Sequence, residues 1–254
     1  MEYQKMSFKI PQESTTYEAD SAFIVSTIEN IIKSAIERGN NKIILNTNLR
    51  FGLPMENINK IAAPIIEAWA FETFLAVSED MNNAYRLVNV ESRPRLDMAD
   101  VLLQFKKGNT VITANVDSKA TAEDIESSGK GPNITSFSRI RSAYVEDPDF
   151  MFIILSIKHK VYSERNANTL LMDGIMEIVK YNAYDLKFIS ETDINYNSAL
   201  GTGQIQIKDI HYVDYQSRST WEFCQLLDKK YLNTSRRTIE DWYREAVKNK
   251  WIKV

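Results

Sequence analysis

Two apolar runs rich in β-branched residues, Val101 to Phe105 and Val111 to Val116, are separated by a short polar stretch containing Lys106, Lys107, Gly108 and Asn109. That pattern predicts a β-hairpin. It constrains the chain more than any other segment, because a strand shows alternate side chains to opposite faces. Asp100 then opens the first strand, Asp117 and Lys119 near the end of the second share one face, and Ser118 points away. Two carboxylates and an ammonium converge at one end of the hairpin.

The rest of the chain alternates helical and strand patterns. Residues 20–38 place Phe23, Ile24, Ile28, Ile31, Ile32, Ala35 and Ile36 at helical spacing, with Gly39 where a C-terminal cap belongs. Residues 42–45 read as a short strand, 46–54 as a loop, and 57–80 as a long, well-buried helix carrying Glu67. A mobile loop is expected over 127–138. A central strand is expected over 150–157, a helix over 168–181 and a strand over 205–213. Ser219 with Glu222 and Thr238 with Asp241 each fit the capping signature of a helix start, so two short helices should close the chain. The expected class is mixed α/β, with a central sheet flanked by helices. A single domain over 1–254 is expected, with a core at about 57–215 and a basic helical segment, 216–254, packed on it.

Composition narrows the partners. With 254 residues the chain can bury a full core without staples. One cysteine, Cys224, and two histidines, His159 and His211, cannot make a disulfide or a cysteine and histidine zinc cluster. The opening residues lack a secretory pattern, and Pro64, Glu67 and Glu72 interrupt the most apolar stretch, 61–77, so a cytoplasmic protein without a membrane span is expected. A net charge of -3 ordinarily weighs against nucleic acid. The local field differs, since residues 225–254 carry eight Lys and Arg against four Asp and Glu.

The convergence at the hairpin end is chemically specific. Hard carboxylate oxygens suit Mg²⁺, which takes one or two carboxylates, water and a substrate phosphate. A lysine beside it can position a water and stabilise charge developing on phosphorus, which together make a complete site for phosphodiester hydrolysis. A solvated strand end with a surface salt bridge is the plain alternative. Asp97 competes with Asp100 but lies further from the apolar run, and Glu72 is a weaker counterpart of Glu67.

Asp100, then Asp117 and Lys119 on the next strand, resemble the PD-(D/E)XK nuclease superfamily, although Ala99 stands where that motif has proline. The similarity is most detailed with a blunt-cutting group of type II restriction endonucleases. Their A-D-I-L-L-V, D-V-K-T and P-N-I-I segments have counterparts at residues 99–104, 117–120 and 132–135. The resemblance spans roughly residues 60–160. It implies a restriction-endonuclease-like core and Mg²⁺-dependent hydrolysis of duplex DNA to 5′-phosphate and 3′-hydroxyl ends. Asp100 and Asp117 would be metal ligands, Glu67 a further carboxylate from the preceding helix, and Lys119 would orient the water. A homodimer cutting a short palindrome is also implied. In the resembling enzymes the segment after the site approaches DNA, which makes Lys130, Asn133, Thr135, Ser136, Ser138, Arg139 and Arg141 candidate contacts. Two other readings stay open: a repair or junction-resolving nuclease of the same superfamily, and a non-enzymatic α/β binding protein. Cys224 and His159 are expected to be structural.

Overall fold

The computed structural model describes residues 2–52, 55–94, 96–199 and 201–253, and of residues 55–58 the backbone alone. Contacts divide the chain into two compact units, each assembled from segments distant in sequence. One comprises Phe23–Gly129 and Ile153–Tyr184, and the other Met1–Ala22, Lys130–Phe152 and Asp185–Val254.

The first unit holds most of α1 (Tyr17–Glu37), then β1 (Lys42–Leu45), α2 (Met55–Glu79), β2 (Leu87–Ser92), β3 (Val101–Lys107) and β4 (Thr110–Ala122). Helix α1 buries Ile24, Ile28, Ile31 and Ile32, one stripe at helical spacing. It stops at Gly39, whose φ of 79° lets the amide of Asn40 reach back to the Ala35 carbonyl at 2.9 Å. Residues 46–52 are irregular as expected, and the end of that expected loop, at Pro54, lies outside the described residues.

Helix α2 is 25 residues long, and its stretch Asn59–Glu79 is long and apolar enough by length and composition to cross a membrane. Only 22% of that window is buried. The expectation of a well-buried helix is therefore corrected: Ala62, Ile66, Ala70 and Phe74 form a single inward stripe, while Ile61 is 51% exposed. This stripe is what an amphipathic helix needs to pack on a sheet, and α2 lies against β2 and β4.

The expected hairpin is present. Strands β3 and β4 pair antiparallel from Val101↔Val116 to Lys107↔Thr110, leaving residues 108 and 109 as the turn, with Gly108 at φ 60°. After β5 (Asn133–Ser136) and α3 (Phe137–Glu146) come β6 (Phe152–Arg165) and β7 (Met172–Asp185). The large sheet has the order β1-β7-β6-β4-β3-β2. Thr121 Oγ1 donates to the Ile157 carbonyl and the Glu123 amide to the His159 carbonyl, so the contacts advance together and β4 and β6 run parallel. Antiparallel pairing of β1 with β7, β2 with β3 and β3 with β4 makes the sheet mixed.

Strand β7 overturns the expected helix over 168–181. Its apolar residues fit a helical period, but the segment lies between β1 and β6, with residues 173–176 all buried. A strand covered on both faces loses its alternation and reads as a continuous apolar run, which periodicity cannot separate from a helix. Similarly, β2 was hidden in a polar stretch. The expected strand over 205–213 shortens to β9 (Gln204–Ile207), which pairs with β8 (Ile194–Asn197) and with β5 in a three-stranded sheet. Part of the expected mobile loop is thus a paired strand.

That smaller sheet belongs to the second unit, with α3, α4 (Thr220–Leu232) and α5 (Ile239–Lys248). Both expected capping boxes are formed, Ser219 with Glu222 and Thr238 with Asp241. Gly203 has φ 88°, and a Cβ there would sit 2.2 Å from the Tyr196 ring, so no other residue fits. The unit is centred on a fully buried ion pair. Arg141 Nη2 donates to Asp228 Oδ2 at 3.2 Å, and Trp242 Nε1 and the Tyr3 hydroxyl donate to the same carboxylate at 2.9 and 2.7 Å. Removing one partner strands the other charge in an apolar interior. Asp228→Ala should therefore cost about 3–5 kcal/mol of unfolding free energy, measured by urea titration; a loss below about 1 kcal/mol would contradict this account.

Candidate active site

The site is set by hairpin register. Val101↔Val116 is the last pair of the β3 and β4 ladder, and the next residues beyond it are Asp100, just before β3, and Asp117, on β4. The Asp100 amide donates to the Val116 carbonyl at 2.9 Å, and the Ser118 amide donates to Asp100 Oδ2 at 2.7 Å. These bonds fix the Asp100 carboxylate against the neighbouring strand. Strand alternation puts Asp117 and Lys119 on one side, where Lys119 Nζ donates to Asp117 Oδ1 at 2.7 Å.

The electrostatics are unbalanced. Asp117 is 4% exposed, and its Oδ2 has no hydrogen-bond partner among the described residues. Burial pushes its carboxyl up to about 7, against the pull of Lys119 and with a further push from Asp100 and Glu67. Glu67, half-buried on α2, is raised above the usual carboxylate range by burial and then by Asp100, with Lys119 opposing. The fold therefore brings Glu67, Asp100, Asp117 and Lys119 into one electrostatic group. Among the described residues no three His, Cys, Asp or Glu side chains form a metal cage. The donor set is instead a pair of carboxylates with one buried oxygen unsatisfied, which is what a Mg²⁺ ion that keeps several waters requires.

The seven candidate DNA contacts behave differently from one another. All fall in the second unit. Arg139 and Asn133 are exposed, and the exposed Lys130 forms an ion pair with Asp209. Ser136 and Ser138 are half-buried and share hydrogen bonds with Thr202 at 3.1 and 2.9 Å. Thr135 and Arg141 correct the expectation. Thr135 is 5% exposed within β5, and Arg141 is 0% exposed, held by Asp228 and lying over the rings of Trp221 and Trp251. A guanidinium with a buried carboxylate partner is not offered to a phosphate.

Cys224 is buried, and burial pushes its thiol up to about 12, so it is no nucleophile. His159 is 2% exposed with Nε2 3.2 Å from Asn59 Oδ1, and burial lowers its basicity. Sequence reasoning missed the amide of Ser118. The hairpin register contained that signal, since it sets residue 118 beside residue 100.

A family model described as type II restriction endonuclease HpaI matches residues 4–250. The chain belongs to the HpaI family of type II restriction endonucleases. A relative named Type II restriction enzyme HpaI, from Haemophilus parainfluenzae, is 59% identical over 253 residues, covering all of both chains. This HpaI-family chain is accordingly an endodeoxyribonuclease, and its mixed sheet flanked by helices is a restriction-endonuclease-like core. The repair-nuclease and non-enzymatic readings fall away.

The raised Asp117 has a signed consequence for the metal-free HpaI-family enzyme. Its folded value of about 7 lies above the ordinary carboxylate range, so the fold holds a proton there that the unfolded chain has released. Its contribution to stability is present at low pH and lost as pH rises from about 4 through 7. Asp117→Asn removes that loss. In EDTA, the melting temperature of D117N minus that of wild type should increase between pH 5 and pH 8; a flat difference would refute the buried carboxyl.

Proposed function

We propose that the enzyme cuts duplex DNA at a short two-fold sequence by Mg²⁺-dependent hydrolysis centred on Asp100, Asp117 and Lys119. The observation that supports this reading is the buried Oδ2 of Asp117, which has no hydrogen-bond partner among the described residues and lies in the field of Asp100 and Glu67. Asp100 and Asp117 would hold the cation, and Glu67 would support it or its water. When bound, Mg²⁺ supplies charge that stabilises the phosphorane-like transition state and favours the ionised carboxylates. Lys119, anchored by Asp117, orients the attacking water and holds positive charge beside the phosphate. Water oxygen bonds to phosphorus, the bond from phosphorus to the 3′-oxygen breaks, and the products are 5′-phosphate and 3′-hydroxyl ends.

A two-fold duplex site is matched most simply by a two-fold protein, so the working form is a homodimer. Lys130, Asn133, Ser136, Ser138 and Arg139 remain the candidates for contacts from the second unit, and Thr135 and Arg141 are not carried forward.

Cleavage of plasmid DNA with Mg²⁺ should give discrete fragments and should stop in EDTA. Asp117→Ala and Lys119→Ala should each lower single-turnover cleavage by at least about 1,000-fold with the fold retained by circular dichroism. Near-wild-type cleavage by either variant would sink the site assignment. Run-off sequencing of the ends reads the recognition sequence and the cut position together.

A further inference from the structure

The sheet face that carries Asp117 and Lys119 continues beyond them as a row of amides and a hydroxyl. By alternation along β4, Thr113 and Asn115 share that face. The register sets Gln104 opposite Thr113, and Asn89 opposite Gln104. Their side chains are joined: Asn89 Nδ2 donates to Gln104 Oε1 at 3.0 Å and to Glu91 Oε1 at 2.8 Å, and Gln104 Nε2 donates to Thr113 Oγ1 at 3.3 Å.

A bulge is what puts Asn89 there. Leu87 pairs with Phe105 and both are buried, but the next pair is Asn89↔Gln104, with the intervening Val88 52% exposed. Without the extra residue, Asn89 would pair with Leu103 and face the core. The strip is not closed upon itself. Among the described residues, the Asn89 Oδ1 acceptor, the second Gln104 amide hydrogen and the Thr113 hydroxyl hydrogen have no protein partner. Asn89, Gln104 and Thr113 are half-buried, held in place yet accessible. Lys106, two residues beyond Gln104 on the same face, is exposed and has no ion pair among the described residues.

We propose that Asn89, Gln104 and Thr113 form a specificity strip that reads base edges beside the scissile phosphate, with Lys106 on a backbone phosphate further along. This rests on Asp117 and Lys119 being the catalytic end of the same face. Gln104 keeps a free amide hydrogen beside its carbonyl oxygen, the adjacent donor and acceptor that adenine matches, while Asn89 offers its Oδ1 as an acceptor and the Thr113 hydroxyl a donor. Scale agrees as well. Four residues along a strand separate Thr113 from Asp117, about 14 Å, the rise of about four base pairs of duplex. Continuity with the catalytic face singles out the substrate duplex as the occupant.

The test compares kcat/KM on the recognition sequence with kcat/KM on each single-base-pair variant of it. Asn89→Asp and Gln104→Glu keep the side-chain size while removing the donor amide. Each should lower the ratio of cognate to variant cleavage by roughly 10- to 100-fold at positions within about four base pairs of the cut. Lys106→Ala should weaken binding to all sequences alike and reduce the salt slope of log K by about one. Wild-type discrimination in both isosteric variants, with wild-type melting temperatures, would overturn the inference. Full cleavage by Asp117→Ala would instead overturn the catalytic reading, so the two failures are distinguishable.

Discussion

A carboxylate that is 4% exposed cannot remain charged unless something offsets its lost hydration, and among the described residues Asp117 has one side-chain partner, Lys119. Lys119 satisfies one oxygen, and the other has no hydrogen-bond partner among the described residues. The first unit is arranged around this imbalance. Hairpin register sets Asp100 beside Asp117, the Ser118 amide fixes Asp100, and α2 brings Glu67 into the same field. Burial, more than mutual repulsion among three carboxyl groups sharing one ammonium, raises both Glu67 and Asp117 above their ordinary range. Such an arrangement is a poor way to stabilise a fold.

The second unit contains the opposite arrangement. Arg141 and Asp228 are both 0% exposed, yet the carboxylate receives bonds from Arg141, Trp242 and Tyr3. Little of its hydrogen-bonding capacity is left for a ligand. The two acid and base pairs thus differ in the exposure of the cation, 25% for the Lys119 side chain against 0% for Arg141, and in the number of donors on the carboxylate.

What could be read from sequence follows from the distance over which each signal acts. Asp117 and Lys119 were legible because strand alternation is a two-residue rule, and Asp100 because the polar break between two β-branched runs fixes a tight turn. The capping boxes at Ser219 and Thr238 were legible because they act within three residues. The segment 168–181 was misread because its residues 173–176 are all buried, and a strand covered on both faces reads as a continuous apolar run that periodicity cannot separate from a helix. Arg141 was misread as a surface contact because its partner, Asp228, is 87 residues away.

The amino-acid sequence by itself determined the hairpin, the acidic and basic residues at its end and, through its similarity over residues 4–250, the restriction-endonuclease family. Only the tertiary structure decided which charges are buried and how fully each is bonded. It decided that Arg141 is sealed, that Glu67 lies in the field of Asp100 and Lys119, and that a bulge turns Asn89 onto the sheet face shared by Asp117 and Lys119. The reason is physical: backbone pattern and turn chemistry are local, whereas desolvation and hydrogen-bond satisfaction depend on what the rest of the chain places nearby.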